Sequence, residues 1–163
     1  MFEIGEKVVY GNTGVCILED IVQKEIIRNK KQEYYVLKPL YQQNNTIYAP
    51  VDSDKIFIRK VISKSEAEEL IEKIPRITEQ MVVDNDPYMY RNALSSHDCK
   101  ALVAITAIIY QKKRTAISLK KKLGFGDEKY MRLAENLLFG ELACALDIAI
   151  EEVPGYIKAK IDK

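Results

Sequence analysis

The sequence predicts an α+β fold in which a small antiparallel β-barrel precedes an all-helical region. Up to about residue 60, short β-branched and aromatic runs alternate with Gly, Asn, Asp or Pro clusters, a pattern typical of small barrels. After Ser63 the apolar residues recur with the 3.6-residue period of amphipathic helices. This change of period predicts two domains, at residues 1–62 and 63–163.

About five strands are expected in the first domain, separated by polar turns at residues 11–14, 29–32 and 42–45. Residues 42–46 should form a hairpin tip that is exposed to water. The strands are predicted at residues 3–10, 14–27, 33–41, 46–51 and 55–60.

The second domain carries several signals for helix ends. Ser63 and Glu66 have the S-x-x-E spacing of a capping box, and Pro75 is expected to end the helix that they begin. Residues 84–87 predict a loop before a short helix that ends near Leu94. The later helices are predicted from Ser95 or Asp98 to about Arg114, from Asp127 after a break at residues 124–126, and over residues 151–161. One apolar face is expected on the helix after Asp127, made by Tyr130, Leu133, Ala134, Leu137, Leu138 and Leu142.

The chain lacks the residue patterns of a catalytic or metal site. The single histidine, His97, lies in a Ser-Ser-His-Asp stretch typical of a helix cap. Cys16, Cys99 and Cys144 are too far apart for a CxxC metal motif, and we expect mostly buried thiols in a reducing compartment. Neither glycine-rich stretch has the spacing of a phosphate-binding loop. We therefore expect a protein that is not an enzyme and needs no cofactor or metal.

The sequence also predicts no membrane partner. The longest apolar stretch, residues 101–110, is shorter than the roughly 20 residues that a membrane helix requires. The N-terminus has no basic segment followed by an apolar one, as a secretion signal would. A cytoplasmic location is expected.

Positive charge is concentrated in one part of the helical domain. Residues 91–132 contain ten Lys or Arg against three Asp or Glu, whereas the whole chain has a net charge of +1. Two runs, residues 112–114 and 120–122, have no acidic residue between them. Such runs are often solvated helix faces, but their proximity also suits contact with DNA phosphates without sequence readout. The candidate DNA-contacting cations are Arg91, Lys112, Lys113, Arg114, Lys120, Lys121 and Lys122.

Several segments together resemble the CarD/CdnL family of bacterial transcription regulators. They are residues 2–15, 33–37 and 46–51 in the barrel region, and the helical stretch 127–146, which contains Leu-Leu-Phe-Gly-Glu-Leu-Ala-Cys-Ala-Leu. The resemblance implies a Tudor-like N-terminal barrel that docks on the β subunit of RNA polymerase through an edge strand. By order along the chain, the family's docking positions correspond to Lys24, Ile26 and Tyr48. Ile26 and Tyr48 could instead be ordinary barrel core or surface residues.

In this family the helical domain contacts promoter DNA, and a tryptophan wedges into the minor groove. This chain contains no tryptophan. By position, only Met81, Val82, Pro87 or Tyr88 could supply an apolar wedge, and we add Tyr88 to the candidate DNA-contacting residues. The resemblance thus implies DNA contact with weak promoter opening.

Taken together, the sequence suggests a transcription regulator that binds the RNA polymerase β subunit through its barrel. Its basic helical domain would contact promoter DNA and stabilise initiation complexes. The alternative is a protein-interaction adaptor whose helical domain is a scaffold or a dimerisation domain without DNA. An open barrel edge would also permit a strand-swapped homodimer. The sequence leaves open the target promoters and the choice between activation and repression.

Overall fold

The computed structural model describes residues 2–41, 45–53, 57–80 and 88–162, apart from the side chains of Ile26 and Ile27. The chain divides into two compact units, Met1–Val61 and Ile62–Lys163, and each has its own hydrophobic core. In the described residues, the first unit contains an antiparallel sheet of five strands and the second contains five α-helices. The predicted α+β fold class is therefore confirmed.

The sheet has the strand order β4-β3-β2-β1-β5. The strands are β1 Lys7–Tyr10, β2 Gly14–Ile27, β3 Lys30–Pro39, β4 Ile47–Pro50 and β5 Ile58–Lys60. Each neighbouring pair is antiparallel. The sheet is compatible with the expected barrel, although the pairings of the described residues do not include closure between β4 and β5.

Backbone conformation explains where strand ends differ from prediction. The first strand begins at Lys7 instead of residue 3, because Gly5 adopts a φ of 91° in a turn that precedes it. The β2–β3 turn consists of Arg28 and Asn29 alone, with Asn29 at a φ of 71°, so β3 begins three residues earlier than expected. Residues 42–44 of the predicted hairpin tip lie outside the described residues.

A β-bulge divides β2 into two parts. The register with β3 passes from Leu18↔Leu37 to Asp20↔Val36, so Glu19 is an extra residue. Before the bulge, the backbone of Leu18 bonds to residues preceding β1, accepting from the Gly5 N–H at 2.7 Å. Beyond the bulge, β2 pairs with β3 and, among the described residues, with no strand on its other side.

The second unit contains α1 to α5. Ser63 and Glu66 form the predicted capping box: the Glu66 N–H donates to Ser63 Oγ at 3.0 Å, and the Ser63 N–H donates to Glu66 Oε1 at 3.1 Å. The helices are α1 Lys64–Gln80, α2 Met89–Ser96, α3 Cys99–Ser118, α4 Phe125–Leu146 and α5 Val153–Ile161.

The prediction that Pro75 ends α1 is wrong, since the helix continues to Gln80. A proline inside a helix removes one backbone hydrogen bond and costs about 3 kcal/mol. Ile71 and Ile74 before the proline and Ile77 after it all pack in the core of the second unit. Apolar burial on both sides of Pro75 offsets this cost and keeps the helix continuous.

The α2–α3 junction uses the polar residues that the sequence indicated. His97 adopts a φ of 54° as the C-cap of α2, and its N–H bonds to the Leu94 carbonyl. Asp98 is the N-cap of α3, and its carboxylate accepts from the Lys100 N–H at 3.1 Å. Of the two predicted starts for this helix, Asp98 is therefore the one used.

The α3–α4 junction differs from prediction in its boundaries. α3 extends four residues beyond Arg114, and α4 begins at Phe125 with Gly124 as its N-cap. The predicted break at residues 124–126 is thus largely the first turn of α4. Leu133 was expected on the apolar face but is 38% exposed, because the core packs on the neighbouring stripe of α4.

One buried carboxylate connects the start of the second unit to its core. Glu141 on α4 is 2% exposed. Its Oε2 accepts from the Ile62 N–H at 3.0 Å, and its Oε1 accepts from Cys99 Sγ at 3.1 Å. Since buried polar groups need partners, Glu141 links the first residue of this unit to α3 and α4.

Candidate interaction surfaces

Two of the three predicted docking residues are in contact. The Lys24 ammonium nitrogen lies 3.5 Å from the ring centroid of Tyr48, a cation–π interaction. The register places Val22 opposite Tyr34 and Val36 opposite Tyr48, so these residues share one face of the sheet with Lys24. Tyr48 is 47% exposed, and this contact joins β2 to β4 across β3 on a surface open to a partner.

Ile26, the third docking candidate, is a bulged residue. The register passes from Glu25↔Lys31 to Ile27↔Lys30, which leaves Ile26 without an opposing residue. Its backbone lies two residues beyond Lys24 in the same strand. The structure therefore brings the backbone of all three candidates to the part of the sheet formed by β4 and distal β2.

Two strand margins flank this face and offer backbone groups to a partner. The Val51 N–H donates to the Glu33 carbonyl, so alternation along β4 directs the N–H and C=O of Tyr48 away from β3. By the same alternation, the backbone N–H and C=O of Lys24 pair with β3. Those of Gln23 point to the margin of β2 that lies away from β3. Among the described residues, neither margin has a neighbouring strand.

Lys112, a predicted DNA-contacting residue, is held within the helical unit. Its Nζ donates to the Tyr90 hydroxyl at 2.9 Å and lies 3.7 Å from Asp127 Oδ1. The hydrogen bond to Tyr90 is the main cause that raises the pKa of Lys112, so this side chain stays charged. Tyr90 is buried and packs against Tyr130 with ring centroids 5.3 Å apart. Lys112 therefore ties α2, α3 and α4 together.

The other cations of the two runs are exposed but do not form one continuous group. Lys121 and Lys122 line a shallow depression together with Lys112. Lys113 and Arg114 instead line a separate groove on α3. Lys120, at a φ of 56°, is exposed in the turn after α3.

Tyr88 and Arg91 lie at the start of α2. Tyr88 is 58% exposed, and the Arg91 guanidinium carbon is 6.0 Å from its ring centroid. Met81, Val82 and Pro87, the other candidates for an apolar wedge, lie outside the described residues.

Sequence analysis missed two exposed apolar side chains beside the second basic run. Phe125 is 85% exposed and Leu119 is 61% exposed, and they lie on either side of residues 120–122 in the chain. For Phe125, the signal in the sequence is a large aromatic residue between two glycines, a pattern that by itself indicates only a helix break. This turn combines cations with apolar side chains, the combination that minor-groove binding uses.

Other classes of site find no support in the part of the chain that the structure describes. No group of three or more His, Cys, Asp or Glu residues there could hold a metal ion. No described helix combines the length and the apolar character needed to cross a membrane. Cys16 and Cys99 are buried, and burial raises the pKa of the Cys16 thiol to about 11.

Comparison with known proteins assigns the first unit. No curated protein matches the chain. Residues 2–62 match the CarD-like/TRCF RID domain family. This range covers the whole sheet, including Lys24, Ile26, Tyr48 and both open strand margins. The N-terminal unit of this chain is therefore a CarD-like/TRCF RID domain, a module that interacts with RNA polymerase.

Proposed function

We propose that this chain is a transcription regulator with two points of attachment. The RID domain binds the β subunit of RNA polymerase, and the basic helices of residues 63–163 contact promoter DNA and stabilise initiation complexes. The observation that carries the proposal is the RID domain itself, with its Lys24–Tyr48 pair exposed between two open strand margins.

Strand addition is the docking mode that the sheet favours. An added strand gains main-chain hydrogen bonds from an open margin, and neighbouring side chains supply specificity. The Gln23 and Tyr48 backbones supply such groups, and the Lys24–Tyr48 pair lies on the adjoining face. The pair is preformed, so docking would not need to order the Lys24 side chain.

The first experiment measures affinity of the full chain for the isolated β lobe of RNA polymerase. We expect Lys24→Met and Tyr48→Leu each to weaken binding about tenfold, and the double variant to lose less than the sum because the two side chains act as a unit. Lys7→Met removes an exposed charge from β1 of the same sheet, outside the face formed by β4 and distal β2, and is the matched control. If both single variants and the double variant bound as tightly as the wild type, the assignment of this face would be overturned.

A second pair of variants tests strand addition itself. Gln23→Pro removes an N–H that points away from β3, so the β2–β3 pairing persists while the open margin loses a donor. Gln23→Ala keeps the N–H and removes only the side chain. Strand addition at β2 requires that the proline variant binds polymerase more weakly than the alanine variant.

For the DNA contact, we favour the turn between α3 and α4 together with the start of α2. Lys120, Lys121 and Lys122 are exposed, and Phe125 beside them supplies apolar contact. Tyr88 and Arg91 add an aromatic ring and a cation. Lys113 and Arg114, which line the separate groove on α3, would add a second cationic contact. Tethering to polymerase raises the effective concentration of DNA, so individually weak phosphate contacts suffice.

In vitro transcription separates this function from that of an adaptor without DNA contact. We expect the wild-type chain to alter output on promoters that differ in open-complex stability. Charge reversal at Lys120, Lys121 and Lys122 should remove that effect and leave polymerase binding intact. If the charge-reversed variant kept the full effect, the adaptor function would replace our proposal.

A further inference from the structure

An apolar groove runs along α3 in the helical unit. It has a volume of about 500 Å³, which lies within the range of small-molecule sites. α3 contributes Val103 and Ala107 to its lining, and α1, α4 and α5 contribute Ile74, Phe139 and Ile157 respectively. The described residues that line the groove all belong to the helical unit.

The hydroxyl groups that line the groove already have partners. Thr78 donates to the Ile74 carbonyl at 2.8 Å, and Thr106 donates to the Leu102 carbonyl at 2.7 Å. The Tyr110 hydroxyl donates to the Glu135 carboxylate. Because these hydrogen bonds stay within the protein, an apolar chain could lie against these walls without leaving a buried donor unsatisfied.

Among the described residues, the charge that lines the groove is of one sign. It comes from Lys113 and Arg114, both in the C-terminal part of α3. Within the described residues, neither side chain has an ion pair or a hydrogen bond. Val103 and Arg114 are eleven residues apart on α3, so the apolar segment and the cationic segment together span about 16 Å.

We propose that this groove binds an amphipathic anion, an aliphatic chain that carries one carboxylate. The chain would lie against Val103, Ala107 and Phe139, and the carboxylate would pair with Lys113 and Arg114. Apolar burial would supply the affinity, and the two cations would fix the orientation of the ligand. The proposal does not depend on the polymerase contact, and the bound ligand would compete with DNA phosphates for Lys113 and Arg114.

Calorimetric titration of the full chain with sodium decanoate, below the concentration at which it aggregates, tests the site. Decanol carries the same tail without the charge, and acetate carries the charge without the tail. We expect decanoate to bind most tightly and acetate not to bind. Lys113→Gln/Arg114→Gln should weaken decanoate binding about five- to tenfold and leave decanol binding unchanged.

Two further variants locate the site. Ala107→Trp fills the groove and should abolish binding of both decanoate and decanol, provided that circular dichroism shows an intact fold. Lys129→Gln removes an exposed cation that does not line the groove and is the matched control. The proposal fails if decanoate does not bind the wild-type chain, or if it binds the wild type, the double glutamine variant and a folded Ala107→Trp variant alike.

Discussion

Replacing Lys120, Lys121 and Lys122 with Gln should reduce the salt dependence of DNA binding. Each phosphate contact contributes about 0.9 to the slope of log affinity against log salt concentration. If all three exposed lysines contact phosphates, the slope falls by about 2.7. When salt rises fourfold, from about 50 to about 200 mM, the triple variant should therefore lose about 40-fold less DNA affinity than the wild type.

Lys112→Gln should behave differently, although Lys112 belongs to the adjacent basic run. The Lys112 ammonium is already bonded to Tyr90 and close to Asp127. Its removal should leave the salt slope nearly unchanged and lower the free energy of unfolding by about 1 kcal/mol.

Fluorescence anisotropy with a labelled duplex of arbitrary sequence measures the slopes, and urea unfolding measures the stabilities. Lys30→Gln/Lys31→Gln/Lys38→Gln changes the net charge of the chain equally, but in the RID domain, and serves as the control for net charge alone. A slope change for Lys112→Gln as large as one third of that of the triple variant would refute the distinction drawn from the hydrogen bonds. Equal salt slopes for the two triple variants would show that net charge sets the slope, and would refute a local contact of residues 120–122 with DNA phosphates.

Three further predictions concern stability, each measured by the free energy of unfolding. Glu141→Ala should cost about 3 kcal/mol, because it removes a buried carboxylate that accepts from the partly buried Ile62 N–H and from the buried Cys99 thiol, whereas Glu141→Gln should cost less. Ser63→Ala should cost about 1 kcal/mol by removing the N-cap of α1. Burial raises the pKa of the folded Cys16 thiol to about 11, whereas the thiol of the unfolded chain ionises at about pH 8.5. The free energy of unfolding should therefore fall as pH rises from about 8.5 to about 11. Cys16→Ala should lack this fall.

Much of the fold could be predicted because its signals are local. The capping box depends on the spacing of two residues, Ser63 and Glu66, and it forms as expected. The strand periodicity located β2 and β4 to within one residue because side chains alternate between faces. Pro75 was misinterpreted because its local preference is outweighed by isoleucines that pack against other helices.

The candidate sites show the same division between local and distant causes. Sequence order and family resemblance selected Lys24 and Tyr48, but only the register of three strands brings the ammonium onto the ring. The composition of residues 112–114 suggested one basic surface. In the fold, Lys112 is held by Tyr90 and Asp127, whereas Lys113 and Arg114 line the α3 groove.

Amino-acid order by itself determined the α+β class, the capping residues and the concentration of positive charge, since each depends on neighbours within a few positions. Tertiary structure decided which cations remain open to a partner, which strand margins are unpaired and where the α3 groove lies. Those properties depend on contacts between residues distant in the chain, such as Lys112 with Tyr90 and Glu141 with Ile62. Burial and pairing therefore determine what the charge and the apolar surface of this chain can bind.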